Sequence, residues 1–194
     1  VEPGEEVTFE TLDASGNRIR TVEDGVTFFP PGSQLNPVTG PVAVSGAAPG
    51  DTLVVEILDI KLGPAGYTRL KAGSGVIINF LKPPTARMGD GELTGIGLDI
   101  SSDVTVRVGL LKGRKWARPW VETPTEWVTI ANAPDLPGAI RLATLDMVNL
   151  LAEKLSISRE DGFMLIGACG DCRPGQAAEC GIDATARIGV PRLG

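Results

Sequence analysis

The chain has 194 residues, with 24 acidic side chains against 18 basic ones and a net charge of −6. Its pI near 4.8 argues against nucleic acid or an anionic membrane surface as its main partner. No apolar run approaches the length of a bilayer span, and no secretory leader is read at Val1. The length is that of one domain with at most a small lobe, and 42% hydrophobic residues suffice for a sizeable core. Twenty-five Gly and 15 Pro against 22% charged residues predict many turns and short strands rather than a helical bundle. Three Cys, an odd number, point to a reducing compartment rather than a disulfide framework, so the cytoplasm is the expected location. The chain opens at Val1 almost on a strand, and an upstream strand is expected to precede it.

Up to about Arg118 the pattern is β. Expected strands cover Val7–Thr11, Val42–Val44, Leu53–Ile60, Gly75–Phe80, Gly91–Ile100 and Val104–Leu110. Ser102-Asp103 reads as a tight turn joining the last two into a hairpin. An internal echo links two of these strands. Pro3-Gly4-Glu5 through Asp13 and Pro49-Gly50-Asp51 through Asp59 share the order Pro-Gly-acid-x-apolar-x-apolar-Glu-x-Leu-Asp. Pro fixes φ and Gly supplies positive φ, so both units are expected to open on a tight turn and run into a strand. Trp116, Trp120 and Trp127 then lead through a Pro-broken strand to Thr129-Ile130.

The tail turns helical. Ile140, Ala143, Met147, Leu151 and Leu155 recur at three- and four-residue spacing, one apolar stripe over about four turns, and Pro137 suits a first turn. Ser158 with Asp161 resembles a capping box that starts a second helix, reaching about Cys169. Ile182–Val190 returns as a closing strand, stopped by Pro191. The expected fold is α+β: mostly antiparallel β, as sandwich- or barrel-like sheets, with a C-terminal two-helix segment and a closing strand. Residues 1–118 form the β-rich part, and residues 119–194 form an α+β part packed on it as one structural unit.

The chain contains no His. That removes Ser-His-Asp and Cys-His nucleophile pairs, the usual His-ligated catalytic zinc, and imidazole acid–base work near neutral pH. Chemistry must come from carboxylates, thiols, Lys or backbone donors. In Met88-Gly89-Asp90-Gly91-Glu92 two carboxylates stand two residues apart with Gly on both sides of the Asp. That spacing suits a general acid–base pair or a divalent metal ion, zinc or calcium. An Asp-Gly turn entering a strand, with Glu92 solvated, accounts for the same residues. Cys169-Gly170-Asp171-Cys172 has the spacing of a redox or metal half-site, but no second CxxC and no His completes it. Cys169 also falls at the end of the expected helix, where a thioredoxin-like motif would want it at the start, so structural thiols are the expectation. The stretch from Lys112 to Trp120 mixes basic and aromatic residues as single-strand binders do, yet in an acidic chain it more simply decorates a strand end. No phosphate-binding loop or dinucleotide fingerprint is present.

Four segments resemble the acetamidase/formamidase family: VEPGEEVTFETLD at Val1–Asp13, NPVTGP through GAAPGDTLVVEILD at Asn36–Asp59, MGDGELTG at Met88–Gly95, and Thr123–Ala178 with TPTEWVTIA, SISREDGFML and GDCRPGQA. Order and relative phase are kept through nearly the whole chain. The resemblance implies hydrolysis of small linear amides to carboxylate and ammonia, a β-rich fold with a small α part, and a homo-oligomer. It implies Asp90 and Glu92 as the groups that position or activate water. It also implies that the backbone near Asn36, Thr39 and Gly40 holds the amide oxygen. Two departures stand out. The family carries a larger segment with a His-Gly-Gly-Asn-type loop between the positions of Leu62 and Met88, and a His where this chain has Thr85. An impaired amidase, or a non-catalytic scaffold that binds or assembles, fits those losses. Ser-Ser-Lys and Cys-Glu-Lys amidase chemistries have no supporting motif.

Overall fold

A computed structural model describes residues 1–27, 35–72, 75–81, 99–176 and 183–192, by backbone alone at 25–27, 70–72 and 75–81. These residues form two compact units, divided between Lys115 and Trp116.

The first unit holds strands β1 (Glu6–Thr11), β2 (Thr52–Leu62), β3 (Gly66–Ala72), β4 (Gly75–Leu81) and β5 (Ser102–Leu111), with a short helix α1 (Val22–Thr27). β5 lies between β1 and β2 and is antiparallel to both. Alternation divides this sheet into two chemical faces. Glu6, Arg107 and Glu56 stand abreast on one face, where Arg107 donates to Glu6 at 2.7 Å and to Glu56 at 2.6 Å. Val7, Val106 and Ile57 stand abreast on the other. A bulge between Ile57 and Asp59 gives β2 one extra residue over β5.

The internal echo is structural. The Glu5 N–H bonds the Glu2 carbonyl at 3.0 Å, and the Asp51 N–H bonds the Ala48 carbonyl at 3.1 Å. Between them Gly4 has φ +96° and Gly50 has φ +97°, the positive angle that a Pro-Gly turn demands at its third position. The acids are equivalent too: Glu5 accepts from the Glu2 N–H, and Asp51 from the Ala48 N–H, each at 2.9 Å. The strands they open flank β5 on opposite sides, entered at Arg107 by β1 and at Leu111 by β2.

Three sequence expectations are corrected here. Val42–Val44 is not a strand, since Pro41 removes a ladder donor and Gly46 breaks the run two residues after Val44. Ser102 and Asp103 do not turn but open β5: Thr11 Oγ1 lies 2.8 Å from the Ser102 carbonyl and 2.9 Å from its hydroxyl, so cross-strand partners override turn propensity. β3 was not expected; it pairs with β4 from Gly66 opposite Leu81 to Ala72 opposite Gly75. The expected strand Gly91–Ile100 lies outside the described residues up to 98, and Asp99 then bridges Tyr67.

The second unit contains β6 (Trp120–Glu122), β7 (Glu126–Ala133), helices α2 (Leu136–Leu155) and α3 (Arg159–Cys169), β8 (Asp171–Pro174) and β9 (Ala184–Pro191). Its antiparallel sheet runs β6-β7-β9-β8. The helical stripe is where its spacing placed it. Ala143, Met147 and Leu151 are wholly buried against Trp127, Ala131, Ile188 and Val190, with Ile140 and Leu155 packed at the margin. Thr129 Oγ1 donates to the Ala143 carbonyl at 2.7 Å and ties sheet to helix. Asp135, a cap the sequence reading missed, accepts from the Gly138 N–H at 2.6 Å, with Pro137 in the first turn. Ser158 caps α3 as expected, accepting from the Asp161 N–H at 3.0 Å. Gly162 lets the helices close: a Cβ there would stand 3.3 Å from the Val148 carbonyl oxygen. The α+β, mainly antiparallel architecture is as expected. No helix among the described residues is long and apolar enough to cross a membrane.

Candidate functional site

The loop Asn36–Pro41 lies along β1 and rests on the turn that follows it. That turn, Asp13-Ala14-Ser15-Gly16-Asn17, is held by one carboxylate oxygen. Asp13 Oδ1 accepts from the Ser15 N–H at 2.8 Å, the Ser15 hydroxyl at 2.5 Å and the Asn17 N–H at 2.8 Å. Ser15 Oγ accepts in turn from the N–H groups of Arg18 at 3.0 Å and Ile19 at 3.2 Å. Gly16 and Asn17 take the left-handed angles this needs, φ +70° and +60°. Ser15 is fully buried and Asp13 nearly so. Tyr67 of β3 is buried as well, and burial pushes its phenol up to about 12, with the charges of Asp99 and Asp13 adding to the rise and a hydrogen bond with Ser15 opposing it. Backbone bonds of 2.9 and 2.8 Å join Tyr67 to Asp99.

The loop is anchored at both ends. The Asn36 N–H donates to the Ala14 carbonyl at 2.8 Å with Asn36 at φ +56°. Thr39 Oγ1 donates to the Glu10 carbonyl at 3.0 Å. Gly40, at φ +108°, precedes a cis peptide to Pro41. A Cβ at Gly40 would lie 3.5 Å from the Val42 nitrogen and 4.0 Å from the Phe9 ring. Asn36 through Gly40 are exposed. Among the described residues, no hydrogen bond engages the N–H groups of Val38, Thr39 or Gly40. The loop is thus an exposed segment held on a fixed support.

Of the residues read from the sequence as a site, Asn36, Thr39 and Gly40 lie in this one loop, tied to Ala14 after β1 and to Glu10 within it. Asp90, Glu92 and Thr85 lie outside the described residues. Sequence reasoning missed the buried Asp13–Ser15–Tyr67 cluster. The signal for its turn was present in Asp-Ala-Ser-Gly-Asn, but nothing local announced that Tyr67, some fifty positions on, would cover it. Among the described residues no group of three His, Cys, Asp or Glu is placed to hold a metal ion.

The other sequence candidates have structural employment. Cys169 ends α3, its thiol donating to the Leu165 carbonyl at 3.3 Å, and Cys172 sits on the edge strand β8; both are exposed free thiols. Trp116 and Trp120 meet edge to face at 5.5 Å and pack on the second unit's core, with Lys154 over Trp120 and Arg118 paired to Asp146 at 2.6 Å.

Comparison with known proteins agrees with the resemblance. Residues 1–82 match the model of the Acetamidase/Formamidase family. Among curated proteins none matches. In fold the chain is similar to an acetamidase from Bacillus halodurans, with TM-score 0.83 and 25% identity over 98% of this chain and 90% of that one. A recombinant predicted acetamidase/formamidase from Thermoanaerobacter tengcongensis gives TM-score 0.84 and 22% identity, covering 98% and 88%. An acetamidase from Yersinia enterocolitica gives 0.83 and 18%, covering 99% and 84%. The last two likenesses speak for the fold alone. Through residues 1–82 and through its fold, this chain is acetamidase/formamidase-like, as its sequence motifs imply.

Proposed function

We propose that this chain is an amidohydrolase of the acetamidase/formamidase kind, acting on small linear amides. The observation that carries the reading is the family match over residues 1–82, which contains the whole Asn36–Asp59 segment. In the proposed reaction the substrate oxygen accepts hydrogen bonds from the exposed loop N–H groups at Val38–Gly40. Water adds to the carbonyl carbon, the C–N bond breaks, and the nitrogen leaves as ammonia after taking a proton. Asp90 and Glu92 are assigned the two proton tasks, one removing a proton from water and one returning it to the leaving nitrogen. In a chain without His, the donors these residues offer a divalent ion are oxygens, which suit calcium better than zinc. Such an ion, when bound, would polarise the amide carbonyl. The odd Cys count supports the cytoplasm as its place of work, and the resemblance supports a homo-oligomer.

Thr85 in place of a family His favours a second reading, a scaffold with little or no turnover. The loss of a metal ligand or general base commonly costs two to four orders of magnitude, about 3–5 kcal/mol of barrier. Ammonia release from formamide and acetamide separates the two. Robust turnover abolished by Glu92→Gln establishes the amidase and its pocket. Turnover indifferent to both Glu92→Gln and Asp90→Asn removes those residues from the mechanism. No release from either amide, with or without added calcium or zinc, leaves the scaffold.

A further inference from the structure

We propose that Asp13 is a positioning residue for the Asn36–Gly40 loop: by fixing the peptide between Ala14 and Ser15, it aims the Ala14 carbonyl that anchors Asn36. This role rests on the reading of that loop as the holder of the amide oxygen. The geometry is that of one peptide plane. The Ala14–Ser15 peptide is trans, and a trans peptide points its N–H and its C=O in opposite directions. The N–H of this plane belongs to Ser15 and donates to Asp13 Oδ1 at 2.8 Å. Its C=O belongs to Ala14 and so points away from Asp13, where the Asn36 N–H meets it at 2.8 Å. The carboxylate thereby sets the direction of an acceptor on the far side of the plane. Turn and loop also meet directly, since a Cβ on Gly16 would stand 3.9 Å from Pro37 Cγ.

Asp13 is itself held by a buried chain of hydroxyls. Ser15 gives its hydroxyl proton to Asp13 at 2.5 Å, so in the hydrogen bond between Ser15 and Tyr67 the phenol is the donor. Tyr67, Ser15 and Asp13 form one directed series, in which each bond polarises the next. Tyr67 is 3% and Ser15 0% exposed, so water does not compete for these bonds. A carboxylate oxygen also makes stronger bonds than a neutral one, and Oδ1 directs them at three donors: the Ser15 N–H, the Ser15 hydroxyl and the Asn17 N–H. The other end of the loop does not depend on this series, because Thr39 Oγ1 donates to the Glu10 carbonyl within β1. Loss of Asp13 therefore releases the Asn36 end and leaves the Thr39 end in place.

The full chain is compared with Asp13→Ala and Asp13→Asn by NMR and by ammonia release from formamide. In Asp13→Ala the Asn36 amide proton, freed from its acceptor, moves upfield while those of Val106 and Val108 stay. In the same variant kcat/KM falls by about tenfold to a hundredfold. Most of the fall lies in kcat, because contacts to the amide oxygen strengthen in the transition state. Asp13→Asn keeps an acceptor oxygen and shows smaller changes of the same kind. A residue that only stabilises the fold would lower the urea midpoint and leave the Asn36 resonance and kcat alone, and that result overturns the proposal. So does a displaced Asn36 resonance with unchanged kcat/KM. Should Asp13→Ala not fold, Asp13→Asn decides: an Asn36 resonance and a kcat equal to those of the wild type overturn the assignment. A wild-type chain that releases no ammonia removes the amidase reading instead, and the Asn36 resonance in the variants then decides the positioning by itself.

Discussion

The paired turns at Gly4 and Gly50 make a quantitative test of the internal echo. Replacing either by Ala places a Cβ that meets no atom within 4 Å, so no steric term enters. What remains is the backbone. Both residues sit near φ +96°, where an L-residue costs about 1–2 kcal/mol. Restricting the unfolded chain returns about 0.5 kcal/mol of this. Each substitution therefore destabilises by about 1 kcal/mol, and the two losses are equal because the turns are equal. Gly113 serves as a control: at φ +64° it is already in the left-handed helical region, also with open space around it. Gly113→Ala belongs at the low end of the same range, and Asn at Gly50 costs less than Ala because Asn tolerates positive φ. Urea unfolding followed by far-ultraviolet circular dichroism measures all of these. A neutral Gly50→Ala, a loss above about 3 kcal/mol, or unequal losses at Gly4 and Gly50 would refute the reasoning, since each requires a contact or a conformation these turns lack.

Three further outcomes follow from named contacts. Leu151→Ala, at a wholly buried position in the α2 core, lowers stability by about 3 kcal/mol; a loss under about 1 kcal/mol would mean the helix is not seated on β7 and β9. Lys112 at 2.6 Å, then the Gly113 N–H, hold the Asp51 carboxyl down to about 2. The ionised form is favoured in the folded chain, so its contribution is complete above the ordinary carboxylate range, about pH 4, and is lost as pH falls toward 2. Asp51→Asn should flatten that part of the acid-unfolding curve, and an NMR titration placing Asp51 near 4 would dismiss the tie. Between Cys169 and Cys172 the backbone is extended, with Gly170 at ψ 144° and Asp171 in β8, so their Cα atoms stand about 10 Å apart, too far for a disulfide. Both thiols should alkylate in the native, unreduced protein; a 169–172 disulfide in fresh material would show that the end of α3 rearranges.

Much of the second unit was legible because its signals are local. The spacing from Ile140 to Leu155 completes a helix face within one segment, and Ser158 caps α3 with a partner three residues away. Turn chemistry was equally readable, since Pro-Gly dictates its own angles at Gly4 and Gly50 before anything packs on them. The candidate site was half legible: the Asn36–Pro41 loop announces itself in Pro and Gly, but its anchors are the Ala14 and Glu10 carbonyls, more than twenty residues away.

What only the tertiary structure decided is everything that depends on a partner distant in the chain. Ser102-Asp103 has the composition of a turn and becomes a strand because Thr11 and Leu62 lie on either side of it. Asp13 and Ser15 look like surface residues and become a buried cluster beneath Tyr67. By itself the sequence determined where the backbone must bend and which side of α2 is apolar, since both are settled by neighbours within a few residues. It could not determine that β5 would be the central strand, flanked by β1 and β2. Strand order is chosen by long-range pairing, whose loop-closure entropy and cross-strand contacts leave no mark in a local pattern.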